Sequence, residues 1–546
     1  MALSPSRGIN TNGVRCDVGA YEFDALPMTV GSLFSGGTMN PKIVYLILKV
    51  ALITSLVWTL PPASVSAAGL VGTGTPASCT EAALDAALAG GGTITFNCGA
   101  APHTVILTDY KPIAENTEIQ GGGLITLSGD DTTSLFQVLT DKTLSLRDIT
   151  LREGNGTVTS GFGAIQNFGT LNLTNSQLIS NTSPASGGAI DNRGGLHLTN
   201  SVVAENTASQ SGGGIYTEGG AVTIQNSDIY SNTAVSLGGG IYHSGGSVSI
   251  QGSDIFSNTA FGGGGIYNFT NSTLTLSDSA LRGNVVGAGF GGGLDNRGAA
   301  TLTNITFNGN RANFNGGGLY NTGTATLTNV TFSDNDSNNY HGGGLYTTGT
   351  AILTNATFSG NSAGISGGGL VNAGTTTLTN ATFSGNSANN SGGGLYNDSG
   401  TATLINVTLS GNTAGINGGG IFRNSGTVSV KNSIVANSPS GGNCVGAVTN
   451  NGFNLSTDAS CSGFNQVVNV MLGPLADNGG PTQTHLPQPG SSAIDFVATG
   501  CPPPATDQRG ASRPVDGDGV GGAACDAGAV EYGAVTSAVY LPLLIK

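Results

Sequence analysis

Between residues 160 and 440 the hydrophobic positions follow two superimposed periods. The short period is two. In ATLTNITF, residues 300–307, Leu302 and Phe307 are apolar while Thr301 and Thr303 are polar, the pattern of short strands with one buried face. The long period is 25 or 26: an Asn standing three residues after an aliphatic or Phe residue returns eleven times, from Asn181 to Asn437. The Ile or Leu after each glycine cluster, from Ile165 to Ile421, keeps nearly the same step, with one of 28 residues between Ile266 and Leu294. The extra residues fall in the turn between Asn and Gly, so length is fixed where strands stack and relaxed where chain loops. Columns headed by Leu302 and Phe307 stay aliphatic or Phe throughout, and the column headed by Ala300 is broken only by Thr376. No window carries a 3.6 period over helical length, and Gly, Thr and Asn are poor helix formers.

A unit of three short strands joined by Gly and Asn turns cannot bury its apolar face alone, but can when units stack in register. The expected fold is all-β, a right-handed parallel β-helix, with eleven coils spaced about 4.8 Å apart over roughly 50 Å. A further Asn column (175, 200, 226, 304, 329, 355, 380, 406 and 432, with Gly252 and Asp278 as exceptions) is expected to stack amide on amide at a turn. That stacking accounts for its NxT words without sugar. Both ends of such a rod need blocking. SCTEAALDAALAGGG, residues 78–92, reads as an amphipathic helix with a Ser78/Glu81 capping box. The expected organisation is a cap with irregular first coils over 70–160, the eleven-repeat helix over 161–440, a small disulfide-containing domain over 441–533, and a tail over 534–546.

Residues 39–67 run from a basic start through an apolar stretch to small residues ending VSA, the order of a secretory signal peptide. Residues 1–38 precede it, and RGINTNGVRCDVGAYEFDA within them echoes residues 509–534. The expectation is that 1–38 are not native to the exported chain, being either upstream coding text or a fusion remnant. Cys79, Cys98, Cys444, Cys461, Cys501 and Cys525 fall as three sequence-local pairs. In an exported chain they are expected to bond as neighbours, although six cysteines allow about 15 connectivities.

Composition narrows the function classes. Gly supplies 91 of 546 residues and charged residues only 9%, against roughly 25% in ordinary globular chains. With a net charge of −14 and no basic stripe, nucleic acid is excluded as a partner. No spanning segment is expected in the mature chain, which should be secreted or displayed at the cell surface as a monomer.

The words GGAI (187–190), GGGLYN and FSGN (358–361) resemble the repeats of polymorphic outer-membrane proteins and related pectin-lyase-like β-helix surface proteins. That resemblance implies an adhesin or passenger displayed on cells. LADNGGPTQTHLPQPGSSAID (475–495), DQRGASRP (507–514) and CDAGAVEY (525–532) resemble the choice-of-anchor Q domain, which implies a surface-sorting role for the C-terminal region. Ser492 departs from its usual Pro.

Two function classes follow. One is a non-enzymatic surface or adhesin-like protein, binding surface glycans or proteins of host or neighbouring cells. Its candidate residues are Tyr216, Tyr242, Tyr267, Tyr320, Tyr346 and Tyr396, with Phe422, which follow the buried Ile or Leu and so face outward. They read either as a binding stripe or as an aromatic ladder between coils. The other class is a carbohydrate-active enzyme, a polysaccharide lyase or hydrolase, which needs clustered carboxylates. Its best candidates are Asp228 stacked one coil below Asp254, with Asp278, His243 and Arg282 in nearby register; outward solvated positions are the plainer reading. No cofactor is expected, apart from calcium at Asp516 and Asp518 in DGDG. His485, Asp477, Asp495, Asp507 and Arg509 read as pairs holding a small domain together.

Overall fold

A computed structural model describes residues 67–156 and 161–536. The expected leader and the segment ahead of it lie outside these residues except for Ala67, as does the tail beyond 536. The described residues wind as a right-handed parallel β-helix of about fourteen turns. One sheet has 14 strands, one per coil, from Lys111–Ile113 to Cys444–Val445; a second holds ten two-residue strands, and a third carries the long strands. Each strand pairs with its equivalent one coil away, as Thr324–Ser333 does with Thr350–Ser359.

The coil 316–342 shows how the words make the turn. Leu319, Leu327 and Phe332 are buried, and Phe307, Phe332, Phe358 and Phe383 stack face to face at 4.8, 4.7 and 4.5 Å. The three glycines are each needed. Gly316 has φ +73°, and a Cβ on Gly317 or Gly318 would stand 2.5 or 2.6 Å from a carbonyl oxygen of the next coil.

Two Asn columns do different work. Asn329 sits at a bend of the long strand with φ 57°, and the whole column shares this left-handed backbone, including Gly252 at 59° and Asp278 at 50°. Backbone conformation therefore selects Asn, Asp or Gly there. The expected amide stacking is partial: Asn329 donates to Asn304 at 2.9 Å and Asn355 to Asn329 at 3.1 Å, while the amides of Asn406 and Asn432 find no partner. The continuous ladder is the other column. Asn335 is fully buried; its oxygen accepts from both the backbone and the amide of Asn310 at 3.0 Å, and its own amide donates to the Phe307 carbonyl at 2.9 Å. This repeats from Asn181 to Asn412. A third, interior column was not singled out from sequence: Asn268, Asn296 and Asn321 bond in series at 2.7 Å. Its Asn372 accepts from Thr376 at 2.9 Å, which satisfies the one polar residue in the Ala300 column.

The ends differ from expectation in detail. The front helix is Glu81–Leu88 and its cap is Thr80, whose hydroxyl accepts from Ala83, not Ser78, which lies in the preceding 3-10 turn Pro76–Ser78. Glu81 is the first helical residue, out of place for a capping box with Thr80, and meets Lys111 at 2.7 Å. Burial would raise its pKa, but hydrogen bonds from Lys111 and Thr108 hold it down at about 2. At the far end parallel pairing continues past the last repeat word, through Val448–Asn450 and Leu455–Ser456 to Asn465–Gln466. The chain then turns back along the long-strand sheet. Gln508 bonds Thr357 and Thr382 at 2.8 and 2.7 Å, His485 bonds Ser384 at 2.9 Å, and Ala529 donates to Thr408 at 2.9 Å. The disulfides are Cys79–Cys98, Cys444–Cys461 and Cys501–Cys525, the neighbour pairs expected.

Replacing Asn335 by Ala strands two donors and a carbonyl, at about 1–3 kcal/mol each, so denaturant titration should show a loss of about 3 kcal/mol or more. Asn329→Gly, which keeps the backbone conformation, should stay within about 0.5 kcal/mol of the parent.

Candidate functional site

The Tyr column forms a ladder. Tyr216, Tyr242 and Tyr267 are consecutive partners on the 14-strand sheet, and their rings stack at 5.0 and 5.5 Å with planes 2° and 7° apart. Tyr320 stacks on Tyr346 at 5.5 Å, and Tyr396 on Phe422 at 5.2 Å. Ring faces are thus spent on one another, leaving edges and hydroxyls. Tyr267 is buried and the others are half-buried. Burial, with Glu218 nearby, pushes the Tyr216 phenol up to about 12. The 28-residue step supplies Phe290, which lies on Tyr320 at 4.6 Å.

Sequence reading missed the residues that interrupt this column. Asp295 takes the place between Tyr267 and Tyr320 and is fully buried. Arg297 grips it with Nε and a terminal nitrogen at 3.2 and 3.1 Å, and the guanidinium lies 5.0 Å over the Tyr267 ring, a cation–π contact. Burial pushes the Asp295 carboxyl up to about 6, against the pull of Arg297. Asp191 with Arg193 occupies the equivalent place before Tyr216. The repeated word DNRG at 191 and 295 was the available clue.

The acid candidates do not converge. Asp228 and Asp254 are paired in register on the long-strand sheet, but Asp254 is held by Arg282 at 2.7 Å. Asp278 stands at the left-handed bend, accepting from Asn304 at 2.7 Å. His243 lies on a different sheet, fully buried in the interior Asn column, with Nε2 3.3 Å from the Thr273 carbonyl oxygen. Burial, opposed by that hydrogen bond, lowers its pKa to about 4.

In the C-terminal region Asp507 pairs with Arg509 at 2.8 Å and Arg513 with Glu531 at 3.4 Å, all buried. His485 is held between Ser384 and the Gly473 carbonyl oxygen, and Asp477 accepts from Gly479. The oxygens of Asp495, Asp516 and Asp518 lie within 4.8 Å of one another, a donor set that suits a hard cation.

The family profile for the right-handed β-helix region matches residues 160–336, and that for the repeat of Chlamydia polymorphic membrane proteins matches residues 380–398. No curated protein matches the chain. Among solved structures, tailspike protein 3 of bacteriophage CBA120 is similar at 12% identity and a TM-score of 0.30, over 79% of this chain and 70% of that one. No helix among the described residues is long and apolar enough to cross a membrane.

A buried neutral imidazole stabilises the fold fully above the unfolded pKa of about 6.5. Its contribution is lost as pH falls from there towards about 4, its folded value. Asn is the residue that Asn268 and Asn296 supply in the same column. His243→Asn should therefore flatten the fall of melting temperature across that window.

Proposed function

We propose that the chain is an exported, non-enzymatic β-helix protein of adhesin-like type, presenting its rod for binding at or outside the cell surface. The observation that carries this reading is the uniformity of the coils. From Ile165 onward the repeats keep their strands in the same register, so that surface is a continuous set of outward columns and not a cleft walled by long loops. The polymorphic membrane protein repeat at 380–398 and the three disulfides support an extracellular setting. The sorting role implied by the choice-of-anchor Q resemblance belongs to the segment folded back over the rod. Within the Tyr column the stacked faces leave hydroxyls and ring edges to meet a partner, with exposed Phe269 beside Tyr242 and Tyr267. Calcium at Asp516 and Asp518, joined by Asp495, would fasten the DGDG turn.

Depolymerisation assays across a polysaccharide panel, run beside whole-cell binding, should give binding without turnover; turnover abolished by Asp254→Asn would falsify the non-enzymatic reading. Calcium should raise the melting temperature of the parent, and Asp516→Asn should remove that rise; an equal rise in both would place the ion elsewhere.

A further inference from the structure

Two outward columns run side by side along the long-strand sheet, and over many coils both are written in Thr and Ser. The first reads Ser249, Thr275, Thr301 and Thr326 in successive register. Hydroxyl-bearing residues of this kind are what a solvated strand needs. Towards the N-terminal end the same column reads Glu118, Ser145, Asn172 and His197, and Arg147 stands in the neighbouring column beside Thr174. These residues line one groove of about 430 Å³, within the usual range of ligand sites. A carboxylate, an amide, an imidazole and a guanidinium gathered in four consecutive coils are a departure from the repeat that strand formation does not require.

We propose that this groove binds a neutral or N-acetylated oligosaccharide lying along the rod. The proposal rests on the surface-binding reading above and assigns it a site and a ligand class. Arg147 Nε meets Glu118 Oε1 at 3.5 Å, so the charges balance inside the groove and neither is left to select an ionic ligand. The Asn172 amide donates to the Ser145 hydroxyl at 3.0 Å, and the His197 ring is exposed. Neighbouring donors and acceptors of this kind suit vicinal hydroxyls, each of which gives and takes a hydrogen bond. Because coils repeat at about 4.8 Å, such groups recur along the axis at a spacing comparable to successive units of a sugar chain. Glu118 is the single carboxylate among the lining residues. The paired carboxylates of glycoside hydrolysis are not assembled here, and the groove holds its ligand without cutting it.

The test uses the full chain on a printed array of neutral, N-acetylated and acidic oligosaccharides, with titration calorimetry on the hits. The triple variant Glu118→Thr, Asn172→Thr, His197→Thr restores the residue that Thr301 and Thr326 carry in later coils, so the fold should persist and its melting temperature is measured alongside. The expected result is binding to neutral or N-acetylated glycans that weakens at least tenfold in the triple variant and is unchanged in Thr326→Ala, an exposed position of the same column outside the groove. Should the triple variant melt lower, Asn172→Thr alone is read, and a threefold or greater loss is expected. Undiminished binding in the folded variants, or hits confined to acidic glycans, overturns the groove. Cell binding with no glycan binding removes the groove and leaves the adhesin-like reading standing; binding to neither removes both.

Discussion

Every side chain in this rod meets its own counterpart one coil away, and that self-encounter governs the rest of the structure. A residue is acceptable in a column only if it can sit about 4.8 Å from a copy of itself. Phe passes by stacking its rings, Asn by donating to the oxygen of the next Asn, and Gly by letting backbones approach where a Cβ would collide. Charge passes badly. Two like charges at about 4 Å repel by about 1 kcal/mol even in water, and a full column would add one such term at every coil. The low charge content is thus a consequence of stacking. Where acids enter, a cation or an amide usually stands beside them, as Arg282 does for Asp254 and Asn304 for Asp278.

The same constraint explains the aromatic column. Consecutive Tyr residues stabilise one another at the cost of their faces, so the ladder and the binding stripe are competing uses of one set of rings. Asp295 and Arg297 interrupt the run with a neutralised pair that still offers Tyr267 a flat cation. The interruption therefore preserves the stack's geometry while changing its chemistry.

The coil was legible in the sequence because it is written eleven times: the period, the inward columns around Leu302 and Phe307, and the outward facing of Asp228 all follow from spacing. The disulfide partners were legible because they are neighbours. What was not legible is what happens once or at long range. Thr80 caps the helix in place of Ser78 because Ser78 closes the preceding 3-10 turn and the helix begins only at Glu81, whose partner Lys111 comes from 30 residues further along the chain. His243 looks catalytic beside Asp254 in the text, yet the turn between them places it on another sheet, inside the rod. The interior Asn268 column hides because Thr217, His243 and Thr347 stand in for Asn, and the groove hides because its residues become conspicuous only once register sets Glu118 against the later threonines.

A stack of this kind loosens from its ends, where a coil has only one neighbour to hold it. At the front, Cys79–Cys98 and the Lys111 ion pairs tie the cap to the first coils. At the back, the returning segment is fastened to Thr357, Thr382 and Thr408, well inside the last coil. Fraying from that end must first peel off a strap that grips several coils at once. The rod is therefore protected against unzipping over a length, and not merely plugged at its tip.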